Sequence, residues 1–172
     1  MDLFEEWLNK KDESIWVKRA LTDSSYRKYA QDHKLVKNGK EIAVNTDLGT
    51  YGDAVIKLCY LEILLDKCEK LTKKKEEYES DEYFVRYVAR HYGILKYLKV
   101  DSNDQKMPKN YDYEKPKKTT GKNKKESKHK YIATAVEAMI GAIFKETNDR
   151  KPIIELLKTW MEFGPKDSNE SE

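Results

Sequence analysis

A chain of 172 residues has room for one domain of ordinary size, and not for two well-cored ones joined by a linker. Charged and hydrophobic residues each make up 38% and the mean hydropathy is −0.91, so an economical core under a densely charged surface is expected. The runs IKLCYLEILL and AVEAMIGAIF, with twelve Tyr, four Phe and three Trp, exclude a chain disordered throughout, and no run approaches the roughly 20 apolar residues of a membrane span.

Periodicity is helical nearly everywhere. Leu3, Trp7 and Leu8, then Ile15, Trp16 and Ala20, recur every three to five positions and predict two short amphipathic helices. Thr22 and Asp23 are helix starters for a segment carrying Tyr26 and Tyr29, and Asn38-Gly39 is a turn signal. A long helix is expected from about Asn45 to Lys67, with Asp47 suited to its N-terminal dipole and an apolar stripe from Leu48 to Leu65. Lys70 to Ile94 reads as one or two helices ended by Gly93, and Leu95 to Val100 as a short helix or turn. Residues 101–130 lose periodicity and hold Pro108, Pro116 and Gly121, which predicts a long loop. Tyr131 to Glu146 is an apolar helix, and Pro152 opens a last helix reaching about Phe163. The reading is an all-α domain over 1–164 with a basic insertion at 101–130 and a disordered tail at 165–172.

The N-terminus has neither the basic start nor the apolar core of a leader peptide. Cys59 and Cys68 lack a CxxC or Cys/His spacing, which argues against zinc and disulfides, so a reducing, cytoplasmic setting is expected. The net charge of +3 hides a basic run, Lys115 to Lys130, with Glu126 its single acid. Clustered lysines are either a footprint for a phosphate backbone or a solvated loop, and the run leaves both open. Lys117, Lys118, Lys124 and Lys125 are its candidate phosphate contacts.

Two acids stand in surroundings that penalise them. Asp53 in LGTYGDAVIKL and Glu137 in YIATAVEAMIGAIF lie among apolar and small residues, where an ionised carboxylate is costly unless a cation or several donors meet it. Gly49 and Gly52 flank Asp53, while Ala133, Thr134, Ala138 and Gly141 flank Glu137. Glycine costs a helix about 1 kcal/mol against alanine, so their presence points to close backbone approach and to two carboxylates brought together. Such a pair suits a hard, oxygen-seeking cation such as Mg²⁺. The plainer alternative pairs Asp53 with Lys57 one turn on and turns Glu137 to solvent. Histidines at zinc spacing, a nucleophile motif and a glycine-rich phosphate loop are all missing.

ALTDSSYRKYA (20–30), NTDLGTYGDAVIKL (45–58), KLTKKKEEYESDEYFVRYVARHYGILKYL (70–98) and ATAVEAMIGAIF (133–144) resemble, in order, four segments of the ribonuclease III family. They are similar to its ALTHxSY opening, its signature helix NERLEFLGDAVL, its middle segment and its ADxVEALIGAIY helix. The resemblance implies an all-α, homodimeric endonuclease domain cutting double-stranded RNA, with catalytic and metal-binding roles for Asp53 and Glu137 and with Mg²⁺, or Mn²⁺ in its place, as cofactor. It also implies dimerisation through the signature helix and contacts to an A-form duplex by shape. Family acids seven and four positions before the GD aspartate, and three before the VEA glutamate, are replaced by Thr46, Gly49 and Thr134. Positions 49 and 134 belong with 53 and 137 to the family's four-carboxylate core, of which Asp53 and Glu137 remain. The reduced pattern is similar to mini-ribonuclease III, a short branch without an appended RNA-binding domain, for which no room is expected after Phe163. A catalytically inactive relative that binds structured RNA is the alternative, and a helical protein-interaction module a third class.

Overall fold

The computed structural model describes residues 1–33, 35, 42–65, 67, 70–101 and 130–164. Its helices are α1 Leu3–Asn9, α2 Ile15–Ala20, α3 Ser24–Asp32, α4 Thr46–Leu64, α5 Leu71–Tyr78, α6 Asp81–Tyr83, α7 Arg90–Tyr92, α8 Lys130–Thr147 and α9 Lys151–Trp160. A π-helical stretch, Phe84–Ala89, joins α6 to α7, and a 3₁₀ turn, Ile94–Lys96, follows. Among the described residues the β-structure is one isolated bridge, Thr22 to Lys99. The all-α expectation holds.

The helix ends follow the local chemistry. Asp2 forms a capping box with Glu5, Ser14 accepts from the amides of Trp16 and Val17, and Asp23 accepts from Ser25 N. Gly93 ends α7 at φ 58°, a left-handed conformation that glycine adopts without the Cβ penalty. Pro152 lies in the first turn of α9, where its missing N–H goes unneeded.

α8 is the centre. Ile132, Ala133, Ala135, Val136, Ala138, Met139, Ile140, Ala142 and Ile143 are all buried, as expected of a helix apolar on nearly every side. α4 packs along it, α2 and the π-helical stretch cover other sides, and α9 lies against α4. α1 and α9 are tied together over this core. Phe4 meets Trp160 edge-on with centroids 5.3 Å apart, Trp160 Nε1 donates to Tyr92 Oη at 3.0 Å, and Tyr92 donates in turn to Asp2. Three tyrosines act as packing. Tyr60 stacks on Tyr78 and Tyr78 meets Tyr83 edge-on, all three buried.

Three boundaries shift from the sequence reading. α4 stops at Leu64 and α9 at Trp160, each short of the expected end. Lys130, assigned to the loop, opens α8, and at the insertion's other end Asp101 N donates to Ser25 Oγ at 3.1 Å. The remainder of the insertion, the tail from 165 and Asn38-Gly39 lie outside the described residues, as do Cys68, Lys117, Lys118, Lys124 and Lys125. Cys59 is a free, buried thiol that desolvation pushes up to about 11.

Candidate active site

α4 and α8 meet backbone to backbone at their glycines. A Cβ on Gly52 would overlap the Glu137 carbonyl oxygen and stand 2.7 Å from its carbon and 2.8 Å from Gly141 N. One on Gly141 would lie 2.5 Å from Leu48 O. No side chain fits at either position, which accounts for two glycines inside helices that lose stability by having them.

This approach brings Asp53 and Glu137 to the walls of one cleft of about 560 Å³. Thr46, Thr50, Asp53 and Lys57 form one face of α4, spaced three or four residues apart, and Lys130, Thr134 and Glu137 face them from α8. Glu76, Glu79, Ser80 and Asp81 close the third side.

One half of the plainer alternative holds and the other does not. Asp53 does pair with Lys57, Oδ2 to Nζ at 2.7 Å. Glu137 does not turn to solvent: it is half-buried in the cleft wall. Desolvation, then the negative charges of Asp53 and Asp81, push its carboxyl up to about 8, against a smaller pull from Lys57 and Lys130. Lys57 lies above its ordinary value, chiefly because its ammonium donates to Asp53.

Sequence reasoning missed the third wall. Asp81 lies 28 positions from Asp53 and 56 from Glu137, within a charged run where an acid carries no signal of burial. The readable signal was local. Ser80 followed by two acids is a helix start, and Ser80 Oγ does accept from Tyr83 N at 3.1 Å. With Glu76, Glu79 and Asp81 the cleft carries five carboxylates against the ammonium groups of Lys57 and Lys130. Glu79 also pairs with Lys75 at 2.7 Å.

The donors are oxygens throughout, carboxylate and hydroxyl, and this fits a hard divalent cation. Among the described residues no three acid, imidazole or thiol groups converge closely enough to cage an ion by themselves. Mg²⁺ does not ask for that, since it keeps several waters and is commonly held by one or two carboxylates. The replaced acids have a steric counterpart. A Cβ at Gly49 would come within 2.8 Å of the Thr134 methyl and 3.7 Å of Glu137 Oε2. The β-branched residue at one vacated position therefore occupies the approach to the other.

α4 also carries an apolar, open face, whose first residue, Tyr51, packs on Phe144 of α8 with ring centroids 6.0 Å apart. Tyr51, Leu58, Leu61 and Leu65 are 39, 44, 36 and 61% exposed, and with Ala54 they form a stripe at alternating spacings of three and four, the period of a helix–helix seam. Leu48 and Val55, which the stripe read from sequence included, are buried against the core instead. No helix among the described residues is long and apolar enough to cross a membrane.

The family model described as the ribonuclease III domain matches residues 47–148, more than half of the chain. The span starts in the first turn of α4 and ends just past α8, so both cleft-lining helices lie within it. No curated protein matches the chain in sequence.

Proposed function

The chain belongs to the ribonuclease III family, a family of double-strand-directed endoribonucleases that typically dimerise, and from that premise we propose that it is an active, divalent-metal-dependent member. The observation that carries the reading is the packing of Gly52 on Glu137 and Gly141, which brings two carboxylates to one cleft. A cleft with five acids and two lysines repels a phosphodiester unless cations enter it, so its charge balance favours metal-assisted chemistry over plain RNA binding.

Asp53 and Glu137 are the groups proposed to hold Mg²⁺ or Mn²⁺, with the hydroxyls of Thr46, Thr50 and Thr134 around them. Such an ion supplies a water of lowered pKa and neutralises charge on the phosphate being cut. The protein's part is to hold the two carboxylates rigidly on helices that cannot slide, because each glycine contact fixes their register.

The domain is proposed to span 1–164 and to work as a homodimer, two copies burying the stripe of Tyr51, Ala54, Leu58, Leu61 and Leu65 against each other about a two-fold axis. Lys117, Lys118, Lys124 and Lys125 are proposed to contact RNA phosphates. Their replacement by alanine is expected to weaken duplex binding and to flatten its salt dependence, by about one unit of slope for each lysine that meets a phosphate.

The test is cleavage of a long RNA duplex by the purified protein over a range of Mg²⁺ and Mn²⁺ concentrations, beside a single strand of the same sequence. Cutting of the duplex alone, abolished by a chelator, is expected. The second reading, a silent RNA-binding relative, has its own support in Gly49, Thr134 and the Lys57–Asp53 pair. Duplex binding without cutting at any metal concentration would decide for it.

A further inference from the structure

Lys57 is more than a neighbour of the site. Its ammonium is 2.7 Å from Asp53 Oδ2 and lines the same cleft as Glu137. An exposed pair one helical turn apart is ordinary and contributes little to stability. This one differs in its partner, since Asp53 is the acid proposed to bind metal, and in its position on the α4 face that a substrate in the cleft would meet. The side chain is 46% exposed and has room to swing.

Charge counting at the two proposed ligands alone, leaving aside Glu76, Glu79, Asp81 and Lys130 elsewhere on the cleft wall, gives the pair a purpose. Ionised Asp53 and Glu137 with one phosphodiester carry three negative charges. One divalent cation and one ammonium carry three positive ones. Four carboxylates would call for more metal, but positions 49 and 134 here hold Gly and Thr.

We propose, resting on the nuclease reading above, that Lys57 is a resident cation of the site. Paired with Asp53 in the metal-free protein, it yields that carboxylate to a divalent ion and turns to the phosphate of a bound duplex. There it supplies positive charge that the missing carboxylates would have recruited as metal. A lysine suits the task as a compact point charge on a flexible stem.

The test compares the unmodified protein with Lys57→Met and Lys57→Arg by two readouts. The first is Mn²⁺ binding without RNA, followed by the signal of the free ion. The second is single-turnover cleavage of an RNA duplex at saturating Mg²⁺. Lys57→Met should bind Mn²⁺ about threefold to tenfold more tightly, because a competitor for Asp53 is gone, yet cleave about a hundredfold more slowly at saturation. Lys57→Arg should keep most of the rate. Unchanged Mn²⁺ affinity in the Met variant overturns the proposal. So does tighter binding with undiminished cleavage, which would make Lys57 a mere rival of the metal. Absence of cutting by the unmodified protein is seen before any variant is made; it defeats the nuclease reading itself and the proposal that rests on it. Thermal unfolding without metal checks the fold, and Lys57→Gln replaces the Met variant if that one is unstable.

Discussion

Gly52 of α4 lies directly against the main chain of Glu137 on α8, so closely that a single methyl group at 52 would overlap the Glu137 carbonyl. One contact thus holds a catalytic candidate in place and sets the register of the central helix pair. Gly52→Ala gains about 1 kcal/mol of helix propensity and forces two backbones apart, an overpacking that costs about 3 kcal/mol or more here. Urea unfolding should show a large net loss of stability, and RNA cleavage should fall with it.

The pair Gly49 and Thr134 predicts a coupling. Gly49→Glu alone drives its Cβ to within 2.8 Å of the Thr134 methyl, and should destabilise by about 1 to 3 kcal/mol. Thr134→Asp removes that methyl. With Mg²⁺ present to offset the repulsion among the added carboxylates, the double variant should be more stable than the sum of the single changes allows, by about 1 kcal/mol in a double-mutant cycle, and should bind Mg²⁺ more tightly than the unmodified protein. Strict additivity would mean that the two vacated positions are independent.

Glu137 gives the metal-free fold a pH dependence. Its carboxyl is pushed up to about 8 in the folded chain, against about 4.3 for an unperturbed glutamate. Between those values the unfolded chain holds fewer protons, so stability falls as pH rises from about 4.3 to 8 and is level above, as far as this group is concerned. Glu137→Gln removes that slope. At pH 8 without metal it should raise stability by about 1 to 2 kcal/mol after discounting for solvent screening, measured by thermal melts in chelator across the pH range. Added Mg²⁺ should stabilise the unmodified protein and not the variant.

The apolar stripe on α4 predicts a dimer that charge can split. Leu58→Glu with Leu61→Lys puts charge at the middle of the seam while leaving the buried face of α4 intact. Sedimentation should show about 40 kDa for the unmodified protein, twice the 20.3 kDa chain, and a single-chain species for the variant with its helical content unchanged.

The sequence was legible wherever chemistry is local. Asp23, Gly93 and Pro152 mark helix ends because caps, left-handed turns and missing N–H groups act within one turn, and all three do so in the structure. The glycines beside Asp53 and Glu137 were also readable, since their cost inside a helix demands a gain from packing, and the structure supplies it at Gly52 and Gly141. What the pattern hid is set by tertiary direction. Leu48 and Leu58 look alike in an apolar run, yet one is buried and the other 44% exposed, because α4 has α8 on one side only. Asp81 was hidden for the same reason: its place in the cleft comes from the path of the chain between α5 and the π-helical stretch.

The most direct test of the central claim is Mg²⁺-dependent cleavage of an RNA duplex by Asp53→Asn and Glu137→Gln, each nearly isosteric and each made on a helix whose packing it leaves alone. The account predicts that the unmodified protein cuts, that each substitution lowers the rate by at least about a hundredfold, and that duplex binding and folding persist in both. Cutting that survives both substitutions would contradict it.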